Sequence, residues 1–558
     1  MDYKKTILWA IFSMSGLLLY NNWQVHEGKP SMFGGSPVNT AAVADKTTAN
    51  KIDIPSPVQN PSIPAPNQTP MVVAGAIETA EKFVLKNDVL ILEISANGGT
   101  IIDATLPKQL TPEKKQVELF QYTQNHKYFA RSGLIALGNV DLPNHTSTFK
   151  LAQSGKDGSG NPFIVLVSER NGVKLEKTFI LSAGSYVVDV GHRVTQSNAN
   201  AVPLVLYTEI VRDASQEQKI GPFDGAFSAS TFTGPATYTE KEKFNKLEFT
   251  AIDKNKITIP TQVPAGDPAW IAMVQHYFAS AWIPSDKEAR DIYAGKIDNN
   301  LYRIGMQVPL GVVVPGTTVV EKAKLFVGPQ EERVLETIAP GFELLKDYGY
   351  LTILAKPIFW LLDNIHSYVG NWGWSIILLT ILIKLVFFPL SAASYKSMAR
   401  MKEVQPRLLA MKEQYKGEPQ KLNQAMMEMY RKEKINPLGG CLPVVIQIPV
   451  FIALYWVLLS SVEMRNAPWI GWIHDLSVPD PYYILPIIMA ASMFVQTKLN
   501  PTPPDPVQAK VMMYMPLVFS VMFFFFPAGL VLYWVVNNLL SIAQQWQINQ
   551  MFGKKTAK

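Results

Sequence analysis

The chain carries a single cysteine, Cys441, among 558 residues. No intramolecular disulfide can form, so any exported part must be held by its core alone. Acid is missing from the five long apolar stretches of the C-terminal third, which contain no Asp or Glu. An ion-coupled transporter ordinarily shows several intramembrane acids together with repeats or Gly-broken helices, and neither is present. The same stretches lack a nucleophile–base or His/Asp pair, which argues against an intramembrane enzyme. No nucleotide-binding motif, metal signature or cofactor signature occurs. His192 stands alone beside Gly191 and reads as a packed or surface side chain rather than a ligand.

What is present averages two unlike parts. At 48% hydrophobic residues, with a net charge of only +6, strongly apolar runs must be joined to an ordinary water-soluble piece. Residues 1–24 place Lys4 and Lys5 before an apolar run that ends without the small residues a signal peptidase needs. They are expected to form an uncleaved signal-anchor, the first span, with its N-terminus in the cytoplasm. Residues 25–80, rich in proline and poor in aromatics, read as a periplasmic tether. Residues 81–340 turn to short alternating runs punctuated by Asn97-Gly98-Gly99 and Asn171-Gly172, the pattern of a large periplasmic β-sandwich. Residues 341–370 are apolar but broken by Lys346, Asp347, Lys356, Pro357 and Asp363, as in an amphipathic helix lying along the periplasmic interface.

Further spans are expected at 371–393, 438–460, 482–499, 511–526 and 530–549. A periplasmic loop lies at 461–481, a cytoplasmic loop at 500–510 and a basic cytoplasmic tail at 550–558. Residues 394–437 carry Lys396, Arg400, Lys402, Arg407 and further basic residues, which places them in the cytoplasm. Their apolar positions Met401, Val404, Leu408 and Met411, then Leu422, Met426 and Met429, recur at helical spacing on either side of Gly417-Glu418-Pro419. A helical hairpin is predicted, its methionines forming either the hairpin's own seam or an adaptable binding surface. The expected fold class is therefore mixed: a polytopic α-helical membrane protein with six transmembrane helices, a large periplasmic β-sandwich domain and a cytoplasmic helical hairpin. The runs at 482–497 and 511–526 rise only about 24 Å against a hydrocarbon core of about 30 Å, and would thin the bilayer.

One charge interrupts the span that opens at Asn371. At about 1.5 Å per residue, Lys384 lies roughly 18 Å below Trp372. Either it snorkels to the inner interface, or it faces water in a groove, since no acid in the spans can neutralise it. Thr380 precedes it by four residues and shares its helix face. Gln447, Gln496 and Asn537 are further polar residues inside apolar runs, with Asn538, Ser541, Gln544 and Gln545 as candidates for interhelical hydrogen bonds.

Three stretches carry a resemblance. They are Asn436-Pro-Leu-Gly-Gly-Cys-Leu-Pro-Val-Val-Ile-Gln-Ile-Pro-Val-Phe-Ile-Ala-Leu-Tyr455, Trp472-Ile-His-Asp-Leu-Ser-Val-Pro-Asp-Pro-Tyr-Tyr-Ile-Leu-Pro486 and Phe526-Pro-Ala-Gly-Leu-Val-Leu-Tyr533. Together with the Asn371–Leu390 span they resemble the YidC, mitochondrial oxidase-assembly and chloroplast insertase family. The tethered β-domain after a first span is similar to its Gram-negative form. In that family a cation on the second span faces a hydrophilic groove open to cytoplasm and lipid but closed outward. Lys384 matches that position, where the family usually has Arg, so a bidentate role does not carry over. Thr380 matches a substrate-contact position, and Trp534 an aromatic contact that is often Tyr, which leaves stacking without the hydroxyl. Gln447, Gln496 and Asn537 would complete the groove.

The resemblance implies an insertase and chaperone of nascent membrane proteins in the bacterial inner membrane, acting alone or with the Sec translocon. It implies neither enzyme nor cofactor, and no specific nucleic-acid site. Met401, Arg407, Met411, Met426 and Met429 of the hairpin would meet the ribosome or signal-recognition targeting factors. From the residues alone, the alternative is a polytopic channel or transporter with a periplasmic sensor domain.

Overall fold

The computed structural model describes residues 55, 80–136, 140–197, 202–215, 232–259, 262–285, 287–415, 417–433, 442–499 and 506–553. The expected signal-anchor, the tether apart from residues 55 and 80, Cys441, residues 500–505 and the tail beyond 553 lie outside the described residues. The described chain divides into two compact units, one of strands up to Asp347 and one of helices from Tyr348.

Alternation makes the strands. The run Val173–Leu181 buries every second residue along its whole length, because a period of two turns alternate side chains to one face. Asn171 and Gly172 both take positive φ, 49° and 68°, which closes the tight turn before it. In chain order the strands are β1 (Lys82–Lys86), β2 (Ile91–Ser95), β3 (Thr100–Leu110), β4 (Gln116–Tyr122), β5 (Lys127–Ala136), β6 (Lys150–Lys156), β7 (Pro162–Arg170), β8 (Val173–Leu181) and β9 (Val187–Gln196). They continue with β10 (Val202–Asp213), β11 (Gly234–Thr239), β12 (Lys243–Lys246), β13 (Gln262–Val263), β14 (Ala269–Val274), β15 (Phe278–Pro284), β16 (Arg290–Asp298), β17 (Leu301–Val313) and β18 (Thr318–Pro329).

Two nine-stranded sheets result, ordered β1-β2-β3-β4-β5-β10-β17-β16-β13 and β12-β11-β14-β15-β18-β9-β8-β7-β6. Every pairing is antiparallel. Both sheets contribute to one core, with Leu92, Leu106 and Phe120 from the first and Leu166, Leu175 and Val188 from the second. That core extends past the expected boundary at 340. Phe342 stands edge-on to Trp270 at 5.0 Å and to Phe326 at 5.3 Å, and Leu345 is fully buried beside them. The Trp270 indole N–H also donates to the Pro340 carbonyl. Residues 342–345 are therefore a 3₁₀ turn of the β unit, and the helix expected from 341 begins only at Thr352.

The helical unit comprises α1 (Thr352–Val369), α2 (Trp372–Val386), α3 (Phe388–Gln414), α4 (Pro419–Lys432), α5 (Leu442–Ser460), α6 (Ile484–Leu499), α7 (Pro506–Met522) and α8 (Ala528–Gly553). Asn371 caps α2 by accepting from the Trp374 N–H, which satisfies one of the donors a helix N-terminus leaves open. Its amide also donates to the carbonyls of Pro468 and Trp469. The helix stops at Val386, short of the expected 393. Pro389 has no N–H to continue the ladder and sits instead in the first turn of α3, where proline is tolerated. The two helices meet at a bend of 67°. No single helix among the described residues is long and apolar enough to cross a membrane, whereas this bent pair is so jointly. The helix α8 continues through Gly553, beyond the expected end at 549.

The long helix α8 packs against α2, α3, α5 and α6, while α1 covers α2 and α5. Ile376, Leu379, Leu454, Val457, Met489 and Val531 form the centre of this bundle. Beyond it α3 and α4 fold back on each other, with Gly417 at φ 97° in the turn. Val404 and Leu408 are buried between them, packed by Met401, Met411, Met426, Met429 and Tyr430.

Candidate functional site

The bundle brings most of the polar residues picked from its helices to one place. Lys384 lies in the last turn of α2, buried to 7% exposure, and its ammonium donates to the Ser541 hydroxyl of α8 at 2.7 Å. Ser541 in turn donates to the Asn537 carbonyl one turn earlier. The Gln447 amide of α5 donates to the Asn537 side-chain oxygen. Lys384, Ser541, Asn537 and Gln447 thus form one polar seam joining α2, α8 and α5. Among the described residues no carboxylate pairs with Lys384. Its position offsets part of the cost of burial, because the last carbonyls of a helix are unpaired and favour a cation.

Thr380 is buried on the same helix, but its hydroxyl donates to the Ile376 carbonyl of its own preceding turn. Trp534 is half-buried and stands edge-on to Phe451 at 4.3 Å, with Phe523 at 5.1 Å, so it belongs to an aromatic cluster. Gln496 is half-buried on α6 and joins none of the bonds of this seam. A cavity of about 20 Å³ beside Lys384 is lined by Lys384, Phe387, Ser391, Gln447 and Val450. That is room for about one water.

Asn538 donates to Ser492 and Gln545 to the Leu499 carbonyl, which ties α8 to α6. Ser541 is the partner that a reading of single residues underrated. Its signal was the spacing Asn537, Ser541, Gln545, a polar stripe at i, i+4, i+8 on one helix face.

The end of the bundle at the N-terminus of α2 is closed by the segment between α5 and α6. The buried Asp480 carboxylate accepts the Trp472 indole N–H and the backbone N–H groups of Tyr482 and Leu485, so it caps α6 and pins the loop together. Backbone bonds from Ala528 to Val478 and from Gly529 to Leu476 fasten the loop to the start of α8. Trp469 lies directly against Gly373, where a Cβ would stand 2.2 Å from the indole.

In the hairpin, Met401, Met411, Met426 and Met429 are half-buried in the seam rather than displayed, and the methionine on the surface is Met427, 66% exposed. Arg407 is exposed and pairs with Glu433 at 2.8 Å. In the β unit, His126, Asp213 and Ser215 adjoin, yet both partners meet the same Nδ1, so no relay from acid through imidazole to hydroxyl is formed. No metal-binding cluster occurs among the described residues.

A helical bundle that holds a buried lysine at one end and is closed at the other follows a large β-rich unit in the chain, and each part matches a family. Residues 364–555 match the family described as the 60Kd inner membrane protein, and residues 82–361 match the YidC periplasmic domain. The membrane protein insertase YidC of Polynucleobacter necessarius subsp. necessarius is 84% identical, with 100% of both chains covered. That of Cupriavidus necator is 58% identical, covering 100% of this chain and 99% of its own. The chain belongs to the YidC family of membrane protein insertases. A crystal structure of an active YidC insertase with its first transmembrane domain resolved aligns over 83% of this chain and 91% of that one, at 17% identity and a TM-score of 0.38.

Proposed function

We propose that this chain inserts and folds integral membrane proteins in the inner membrane, using Lys384 as an electrostatic attractor for the acidic outer tails of its substrates. The observation that carries this reading is a buried ammonium whose bonded partner is a neutral hydroxyl rather than a carboxylate. A carboxylate arriving from a substrate tail offers a stronger, charge-assisted partner than Ser541 does. Thr380, Trp534, Gln447, Asn537 and Gln496 line the path in this reading. Thr380 serves mainly as packing, and Trp534 as an apolar face for the passing chain.

The short helices support a thinned bilayer, since the 16 residues of α6 rise only about 24 Å. Substrate helices leave into lipid, driven by apolar burial at about 25 cal/mol per Å². The chain crosses the membrane six times with both termini in the cytoplasm, α1 lies along the periplasmic interface, and the hairpin of α3 and α4 faces the ribosome and targeting factors through Arg407 and Met427. The Sec translocon is a partner for some substrates. A channel or transporter has no support among the relatives.

The test is reconstitution into liposomes with two versions of a single-span substrate, one with an acidic and one with a neutral outer tail. Lys384→Ala is expected to slow the acidic version about tenfold, the loss of about 1.4 kcal/mol, and to leave the neutral version near the unaltered rate. Equal effects on both would remove the electrostatic role.

A further inference from the structure

Among the described residues the two sheets end at the same side on strands paired along one edge only, β1 in one and β6 in the other. The residues of β1 alternate in the direction of their backbone groups. Ala96 donates to the Glu81 carbonyl and Asn87 to the Leu90 carbonyl, and the register pairs Phe83 with Ile94 and Leu85 with Leu92. The odd-numbered residues therefore bond to β2, and the N–H and C=O groups of Lys82, Val84 and Lys86 point to the open side. Such an edge is a template for another strand.

Because β1 packs against β7, β6 projects one strand further. All seven residues of β6 are exposed, Leu151 to 45%. Between β1 and this overhang lies a groove of about 770 Å³ floored by Leu151, Phe163 and Ile164. A strand of five residues, at about 3.4 Å rise, about 4.8 Å strand spacing and about 10 Å between sheets, occupies about 800 Å³. The two volumes are of the same order, so the groove is on the scale of one added strand.

Charge selects the occupant. Lys82, Lys86 and Lys156 line the groove; Lys82 is paired with Glu93 at 2.9 Å, and the one lining acid, Asp88, is held by Lys108 at 2.7 Å. Lys86, Lys150 and Lys156 have no ion pair among the described residues. Lysines along an edge repel basic strands, cost desolvation when an apolar strand covers them, and leave the edge open to an acidic one. We propose that this edge takes up an extended polypeptide segment whose acidic and apolar residues alternate. The segment pairs with β1 as an added strand, sets a carboxylate beside Lys86, which has no ion pair among the described residues, and lays its apolar face on Leu151 and Phe163. This is strand addition, with main-chain bonds for affinity and alternate side chains for selection. It does not depend on the role given to Lys384.

The experiment uses the full chain in nanodiscs and fluorescence anisotropy of labelled peptides. One peptide alternates Val with Glu, a second alternates Val with Lys, and a third carries proline at the centre of the first. The acidic peptide is expected to bind about tenfold more tightly than the other two. Val84→Pro removes an outward N–H at a position where an edge strand tolerates proline, and is expected to weaken the acidic peptide about tenfold. Lys86→Glu is expected to turn the preference toward the lysine peptide, a change that misfolding does not produce. Equal binding of all three peptides, or no effect of Val84→Pro, overturns the proposal. Binding that emerges only after deletion of residues 56–79 assigns the edge to the chain's own preceding segment and overturns it as well. So does a concentration-dependent dimer abolished by Val84→Pro, which assigns the edge to a second copy.

Discussion

Lys384 and Ser541 form a latch in which the hydroxyl keeps the ammonium occupied. Replacing the hydroxyl separates the two roles of the pair. Ser541→Ala is expected to lower bundle stability by about 1–2 kcal/mol, read from thermal unfolding in detergent, while insertion of acidic-tailed substrates stays at or above the unaltered level. Loss of insertion as deep as that of Lys384→Ala would mean the hydroxyl takes part itself.

A second buried lysine behaves differently. Lys177 is fully buried in the β unit, donates to the carbonyls of Gly98 and Ser132, and stands over the Phe149 ring at 4.7 Å. Burial pulls its amine down from 10.5 to about 7. Between those pH values the unfolded chain binds one proton more than the folded one. The β unit should therefore gain stability as pH rises from about 7 toward 10, by up to about 1.4 kcal/mol per unit. Urea unfolding at pH 7 and pH 9 checks this. Lys177→Met should flatten the dependence even though it leaves two carbonyls unpaired, and a slope that survives the substitution would assign it to another group.

At the scale of elements, α2 and the loop after α5 are locked by close approach. Glycine at 373 lets the Trp469 indole rest on the helix backbone, and Gly373→Ala forces either the indole or the helix aside. Overpacking of this kind costs about 1–3 kcal/mol. The expected result is a lower unfolding temperature and faster proteolysis within 461–481, with the unfolding of the β unit unchanged.

Much at this scale was legible in the chain. The strand alternation, the Asn171-Gly172 turn and the hairpin spacing around Gly417 all follow from local rules that need no distant partner. The end of α2 was less legible, because Phe387, Phe388 and Leu390 are as apolar as the helix before them and only Pro389 carries the break. The methionines of the hairpin show the same limit, since spacing places them on a face without saying whether that face is covered.

At the scale of the molecule, two separate hydrophobic cores imply two units that can unfold independently. A fragment of residues 80–347 is expected to fold and to unfold cooperatively, whereas one ending at residue 340 loses the burial of Phe342 and Leu345. By comparison with large-to-small core changes, the shorter fragment should be less stable by roughly 4 kcal/mol or more, measurable by urea titration. Equal stability of the two fragments would place those residues outside the core. This boundary escaped the sequence because an apolar turn belonging to a β core reads the same as the first turn of an interfacial helix. The polar seam was half legible for a related reason: Lys384, Gln447 and Asn537 stand out as polar residues inside apolar runs, but Ser541 lies 157 residues from Lys384, and nothing local predicts that the two meet.

The Asp480 knot bears on how the bundle yields under load. At that end, loop and helices are joined by main-chain bonds, a buried carboxylate with three donors and an indole seated on a glycine. At the Lys384 end, single side-chain contacts hold α2, α5 and α8 together over a cavity the size of one water. Compliance is therefore unequal along the bundle axis, as in a clothes-peg whose spring sits at one end. Under load the bundle is expected to yield first beside Lys384 and last at Asp480.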